Sequence, residues 1–280
     1  MRTTSTCSSN DRRGRTAAAA LAGCALVLPL FALTACSHGD GRSGPLADRD
    51  RRGAGWAQDG RAQEFRQASL PSGSHLVITT EGGVRVTGSD ADTVRVDAGT
   101  LAHWDAEGTN RTLDLPCDQG DERARDNCGG MPLVRVPAGV TLTVRARNAG
   151  IDVSDVRGAL SLSTVNGDVT VQDSGTKGTR DHLVTRNGSV RATGLSARTV
   201  GAETVNGDVE LLCTTPPDAV DGSTRNGSVR VTLPAQAPAY LQDVSTVNGR
   251  STTNIPTTPG TSHGRLTLRT VNGDTEIHHL

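Results

Sequence analysis

Thr164-Val165-Asn166-Gly167, Thr185-Arg186-Asn187-Gly188, Thr204-Val205-Asn206-Gly207, Thr224-Arg225-Asn226-Gly227, Thr246-Val247-Asn248-Gly249 and Thr270-Val271-Asn272-Gly273 are six copies of one tetrapeptide. Their asparagines follow one another at intervals of 21, 19, 20, 22 and 24 residues. A short period held over this many copies marks a repeat architecture, in which each unit buries its apolar face only by stacking on its neighbours.

The residues around the motif keep a strict parity. Two before each threonine stand Leu162, Leu183, Ala202, Gly222, Val244 and Leu268. Two after each glycine stand Val169, Val190, Val209, Val229, Ser251 and Thr275, and four after it Val171, Ala192, Leu211, Val231, Thr253 and Ile277. The positions between are polar: Thr170, Arg191, Glu210, Arg230, Thr252 and Glu276. This is the period of two of a strand with one buried face, and the threonines share that face. Asn-Gly between two strands reads as a structural turn, because both residues tolerate positive φ. Cys213 has the inward parity of Leu233 and Ile255, so it reads as a small buried hydrophobe.

Compared copy by copy, the polar positions alternate. Asp follows the glycine where Val precedes the asparagine, as in Val165/Asp168, Val205/Asp208 and Val271/Asp274. Ser follows it where Arg precedes, as in Arg186/Ser189 and Arg225/Ser228. Arg191, Glu210 and Arg230 alternate in sign. In parallel coils stacked about 4.8 Å apart these positions become columns. Opposite charges facing one another there help by a few tenths to ~1 kcal/mol, and like charges oppose. Asp168 and Asp208 are then kept apart, with Arg186 on the rung between them. The alternation favours a β-solenoid over a β-meander or a sandwich.

Outward from the repeat, the strand signals continue toward the N-terminus. Ser74 to Thr79, Val84 to Thr87 and Thr93 to Asp97 are β-branched or alternating, and no stretch carries a helical period. Val134-Arg135-Val136-Pro137 and Thr141-Leu142-Thr143-Val144 lead into a degenerate copy of the motif at Asn148-Ala149-Gly150. The less regular segment from His103 to Met131 holds Cys117 and Cys128, which are expected to pair as a disulfide in an oxidising exterior.

The first residues have the marks of an export signal. Arg2, Arg12, Arg13 and Arg15 precede an uncharged stretch from Thr16 to Leu33, and Leu33-Thr34-Ala35-Cys36 resembles a bacterial lipobox. Residues 1–35 are read as a lipoprotein signal peptide and Cys36 as the lipidation site; whether export is by the general or the twin-arginine route stays open. Residues 36–61 are rich in Gly, Ser, Pro and mixed charge, a flexible tether with a coil reach of roughly 25–30 Å. Residues 62–280 are the β-strand-repeat domain. The expected address is the extracytoplasmic face of a bacterial cell membrane, held through lipid on Cys36.

Three stretches resemble one known family, the bacterial "putative adhesin" domains of unknown function built of β-strand repeats. They are Leu76-Val77-Ile78-Thr79-Thr80-Glu81-Gly82-Gly83-Val84-Arg85-Val86, then Val134-Arg135-Val136-Pro137-Ala138-Gly139-Val140, then the recurring Asn-Gly-Asp/Ser-Val turns. The resemblance covers residues 62 to 280. It implies an all-β fold, a single-stranded right-handed β-helix whose coils have the roughly 20-residue length of the repeat, and no shared catalytic residues. The Cys117 to Cys128 loop lies outside the family pattern.

Composition narrows the chemistry. The formal net charge is −1, so no polyanion partner is implied, and aromatic residues make up 2% of the chain, too few for stacking platforms for sugars or single-stranded nucleic acid. Asp168 and Asp208, two rungs or roughly 10 Å apart, approach the carboxylate spacing of an inverting glycosidase, but they sit at turn edges without an aromatic platform. The aspartates lack the nonapeptide pattern of calcium β-rolls, and His278-His279 reads as a chain end. No catalytic residue, metal site or cofactor is expected. The leading expectation is a binding module with a cell-envelope, polysaccharide or protein ligand. The alternatives are an envelope structural or stress-associated protein without a discrete ligand, and a β-helix carbohydrate-active enzyme.

Overall fold

The structure, a computed structural model, describes residues 65–106, 110–257 and 264–280. The expected signal peptide, the lipidation site Cys36 and the tether lie outside the described residues.

The strands in chain order are β1 (Gln67–Ser69), β2 (His75–Thr80), β3 (Val84–Ser89), β4 (Thr93–Val96), β5 (His103–Asp105) and β6 (Asn110–Leu115). A short helix α1 (Glu122–Gly129) follows, then β7 (Leu133–Pro137), β8 (Thr141–Arg145), β9 (Ile151–Ser154), β10 (Leu160–Ser163), β11 (Val169–Gln172) and β12 (Arg180–Val184). The chain continues through β13 (Val190–Leu195), β14 (Thr199–Glu203), β15 (Val209–Cys213), β16 (Ala219–Ser223), β17 (Val229–Leu233), β18 (Tyr240–Asn248), β19 (Ser251–Thr253), β20 (Gly264–Asn272) and β21 (Thr275–His279).

These strands make two long sheets, one ordered β1-β4-β7-β3-β9-β11-β13-β15-β17-β21-β19 and the other β18-β20-β16-β14-β12-β10-β8-β2-β6-β5. Each coil gives one strand to each sheet, and strands of neighbouring coils pair in parallel. Val169, Val190, Val209, Val229 and Thr275 are successive Cα partners, so the copies stack in the register set by their parity. The inward columns form one core in which Leu162, Leu183, Val190, Leu211, Val231 and Leu268 have no exposed surface.

The stack does not follow chain order at either end. The coil β20/β21 sits on β16/β17, and β18/β19 lies beyond it at the end of both sheets. At the other end β2/β3 lies between β6/β7 and β8/β9. Both excursions tuck a terminal coil of the repeat region inside the stack, where it is paired on two sides. A coil at the very end is held on one side only, and chain ends left there fray.

Electrostatics accounts for the order at the C-terminal end. Chain order would set Thr252 beside Arg230. The observed order sets Glu276 there instead, 2.7 Å from Arg230, and extends the alternation through Arg191, Glu210, Arg230 and Glu276. The Asp/Ser column likewise continues: Ser228 meets Asp274, whose backbone N–H donates to the Ser228 hydroxyl at 3.1 Å. The short helix α1 departs from the expectation of strands alone. It spans 8 residues, all but Gly129 within the loop closed by the cysteines, too short to show a period in the sequence.

Antiparallel strands cap the N-terminal end: β4 pairs with β7 and β1 with β4 in one sheet, and β5 pairs with β6 in the other. Phe65 stacks on Trp104 there, with ring centroids 5.0 Å apart.

Candidate functional site

The Asn-Gly corners are occupied by their own hydrogen bonds. The Nδ2 of each ladder asparagine donates to the Oδ1 of the asparagine one coil away: Asn187 to Asn166, Asn206 to Asn187, Asn226 to Asn206, Asn272 to Asn226 and Asn248 to Asn272, all at 2.8–2.9 Å. Asn166 donates to Asn148 at 3.4 Å, so the degenerate copy joins the ladder. Gly167, Gly188, Gly207, Gly227 and Gly273 take positive φ and the asparagines before them do not, since the only positive-φ residues other than glycine among those described are Asp155 and Asp173. Asparagine is used because one side chain both donates and accepts, which an aspartate cannot do.

The flanking residues complete the corner. Thr185, Thr204 and Thr224 donate through Oγ1 to the carbonyls of Gly167, Gly188 and Gly207 at 2.7–2.8 Å. The glycine itself is required by close approach: at Gly207, where φ is +150°, a Cβ would stand 2.1 Å from the Gly188 carbonyl oxygen. Gly249, on the end coil, would meet the Gly273 oxygen in the same way.

The residue between Asp168 and Asp208 in the column is Ser189, not Arg186. Asp168 Oδ1 accepts from the Ser189 N–H at 2.8 Å, and the Ser189 hydroxyl accepts from the Asp208 N–H at 3.1 Å. Asp208 Oδ1 in turn accepts from Ser228 N–H at 2.8 Å. Both carboxylates are thus engaged in holding adjacent coils together. Among the described residues no three His, Cys, Asp or Glu side chains converge as metal ligands would.

The feature that is not self-satisfied lies beside the disulfide. Cys117 and Cys128 are bonded, with Cα atoms 4.7 Å apart. They tie α1 to the end of β6. Asn127, 2% exposed, reinforces that tie by donating to the carbonyls of Leu101 and Pro116, both at 2.9 Å. A Cβ at Gly82 would meet the Asn127 carbonyl, so the glycine lets α1 seat against the β2–β3 turn.

Beside this segment an open groove of about 780 Å³ runs along the corner of the stack. One wall is Leu115 to Cys117; the other carries Arg145, Arg147, Val165 and Arg186. On the floor Thr79 donates to Asp114 at 2.6 Å, and Glu81 lies 3.6 Å from Arg147. Arg145 and Arg186 are exposed, and their side chains have no hydrogen bond or ion pair among the described residues. Unpaired guanidinium groups in a preformed concavity suit an anionic ligand, since their planar fork matches carboxylate and phosphate.

Asp181 and Cys213, both in the core, titrate away from their usual range. Asp181 lies at an inward position of β12, 3% exposed; its Oδ1 accepts from Leu160 N–H at 3.2 Å and its Oδ2 has no partner. Burial pushes its carboxyl up to about 7, against the lowering effect of the Leu160 bond. Cys213 is a free thiol, 1% exposed, and burial, with the nearby Asp181, pushes it up to about 12. A thiol of that kind is inert at neutral pH.

The groove arginines had a signal in the sequence. Arg147-Asn148 repeats the Arg186-Asn187 and Arg225-Asn226 pairs, which marks Arg147 as a member of the same column. Asp181 shares the inward parity of Leu183, so it too was visible as a polar residue at a core position. Asn127 has no counterpart in the repeat and no such signal.

The Toastrack DUF4097 family model matches residues 137–278, half of the chain, and the chain belongs to that family. The match leaves out β1 to β6, α1, the disulfide and all of β7 except Pro137. A crystal structure described as a "putative adhesin" from Bacteroides fragilis NCTC 9343 is similar at 15% identity, covering 77% of this chain and 95% of that one, with a TM-score of 0.38. Another, described as a "putative cell adhesion protein" from Clostridium sporogenes ATCC 15579, has 9% identity, covers 76% of this chain and 98% of that one, and has a TM-score of 0.36. No curated protein matches the chain.

Proposed function

We propose that this protein is a membrane-anchored extracytoplasmic lipoprotein whose Toastrack domain, a right-handed β-helix with coils of about 20 residues, serves as an adhesin-like binding module without catalytic chemistry. Lipid on Cys36 holds it at the membrane. The single observation that carries the reading is the contrast at the corner of the stack. The Asn, Thr and Asp/Ser columns consume their own polar groups, whereas the groove beside the disulfide leaves Arg145 and Arg186 unpaired in a cavity of about 780 Å³. A concavity with convergent unpaired cations is a place for a ligand. The absence of catalysis fits carboxylates that are spent on backbone N–H groups, as at Asp168 and Asp208.

Two measurements test this. Cys36→Ala should release the chain from the membrane fraction, and unchanged fractionation removes the anchor. Purified domain should bind a component of fractionated cell envelope saturably. Failure to bind any fraction, together with a growth defect under membrane stress on deletion, would favour an envelope structural role instead.

A further inference from the structure

The residue before each ladder asparagine forms a column of its own, and its order is fixed by backbone bonds. The N–H of Asn166 donates to the carbonyl of Arg147, Asn187 to Val165, Asn206 to Arg186, Asn226 to Val205 and Asn272 to Arg225. Successive coils therefore present Arg147, Val165, Arg186, Val205, Arg225 and Val271 along one exposed line that leads out of the groove. Arg186 and Arg225 are exposed and have no ion pair among the described residues, while Val165 and Val205, between the arginines, and Val271, after Arg225, are each 38% exposed.

We propose that this line is the binding site for a linear acidic polysaccharide in which charged and neutral sugars alternate. The inference rests on the binding-module reading above and names its ligand class. Three observations carry it. The first is spacing: arginines on every second coil recur at about 9.6 Å, two strand separations, so the line matches a polymer charged at intervals, with an apolar valine under each neutral unit. The second is the nature of the cation, because a guanidinium fork takes a carboxylate by paired hydrogen bonds. The third is Glu203. It is exposed, on the coil between those of Arg186 and Arg225, and one column inward, next to Val184 and Ser223. It breaks the positive field that a densely charged polymer would need.

A nucleic-acid strand fits poorly. Its phosphates recur about every 3.4 Å along a duplex strand, and non-specific single-strand sites use stacking aromatics, none of which stands on this line. The near-neutral net charge does not oppose the proposal. On the other sheet, Arg191 and Arg230 are neutralised by Glu210 and Glu276, at 3.1 and 2.7 Å. Arg186 and Arg225 have no such partner among the described residues, so a charge count over the whole chain does not describe this corner.

The test uses the mature lipidated chain in detergent and hyaluronan, a polymer of glucuronate alternating with N-acetylglucosamine, measured by affinity electrophoresis at low salt. Binding should be saturable and weakened about tenfold or more by Arg186→Gln with Arg225→Gln, since each removes a charge-assisted contact. The pair Lys177→Gln and Arg198→Gln removes the same charge at the opposite ends of these strands and should leave binding unchanged. Thermal unfolding of both pairs should be unaltered, because all four side chains are exposed. Equal loss in the two pairs, tighter arginine-dependent binding of oligo(dT) or polyphosphate, or no hyaluronan binding by folded protein would each overturn the proposal. Saturable binding to envelope fractions that is indifferent to Arg186 and Arg225 would overturn it while leaving the binding-module reading intact. Absence of binding to any fraction would remove that reading as well.

Discussion

The coils β16/β17 and β18/β19 carry the same motif and have opposite environments. In the first, Thr224 is 7% exposed, Val229 and Val231 are fully buried, and coils lie on both sides. In the second, Val247 is 73% exposed, Ser251 to Thr253 are exposed throughout, and β19 ends its sheet. The motif sets the register of each coil; the place in the stack decides what a residue is worth. The copy whose sequence decays most, with Arg250, Ser251 and Thr253 at positions otherwise held by Asp or Ser, by Val or Thr, and by an apolar residue, is the copy that the fold puts at the end.

Substitutions at matching positions separate the two environments. Leu211, fully buried, and Thr253, exposed, both stand four residues after their glycines. Leu211→Ala should destabilise by about 3 kcal/mol through lost burial and a cavity, whereas Thr253→Ala should stay within about 0.5 kcal/mol. Urea unfolding of both variants measures this, and similar losses would break the distinction between interior and end.

A second change probes the exception inside the interior coils. Asp181 has its folded carboxyl raised from 3.8 to about 7 by burial. The protonated form favours the fold, so its contribution is full below pH 3.8 and is lost as pH rises through about 7. Asp181→Asn should therefore leave stability near pH 4 almost unchanged and raise it near pH 8 by on the order of 2 kcal/mol. A gain of equal size at both values would contradict the assigned cause.

The ladder offers the smallest and most specific contrast. Asn206→Ala strands the Nδ2 of Asn226 and the Oδ1 of Asn187, whereas Asn248→Ala strands only the Oδ1 of Asn272. The expected losses are about 1 kcal/mol and less than about half of that, since these amides are exposed to water. Equal losses in thermal melts would mean that the ladder does not distinguish its middle from its end.

Much of this was legible because a period of two and a period of about 20 are both written in side-chain type. Leu183, Val190 and Leu211 declared the inward face, and Cys213 declared its burial through Leu233 and Ile255. The exchange of the last two coils was also encoded, though it takes the whole column to see it. Glu276 continues the alternation of Arg191, Glu210 and Arg230, and Thr252 does not. The amide ladder of the asparagines was not legible, because Asn-Gly has the same local preference in a hairpin and in a stack, and only pairing between coils distinguishes them. The seating of α1 and Asn127 depends on contacts between remote segments and leaves no periodic trace. The groove was hidden for the same reason: Arg145 and Arg147 stand on one coil and Arg186 on another, and they meet the Cys117 segment only in the fold.

The account divides the corner into a column that holds the stack and a column that meets a ligand. Thermal unfolding and envelope-fraction binding, measured together on Asn206→Ala and on Arg186→Gln with Arg225→Gln, test that division most directly. The account predicts a lowered melting temperature with binding retained in the folded asparagine variant, and an unchanged melting temperature with binding lost in the arginine pair. Binding retained in the arginine pair, or lost in the folded asparagine variant, would contradict it.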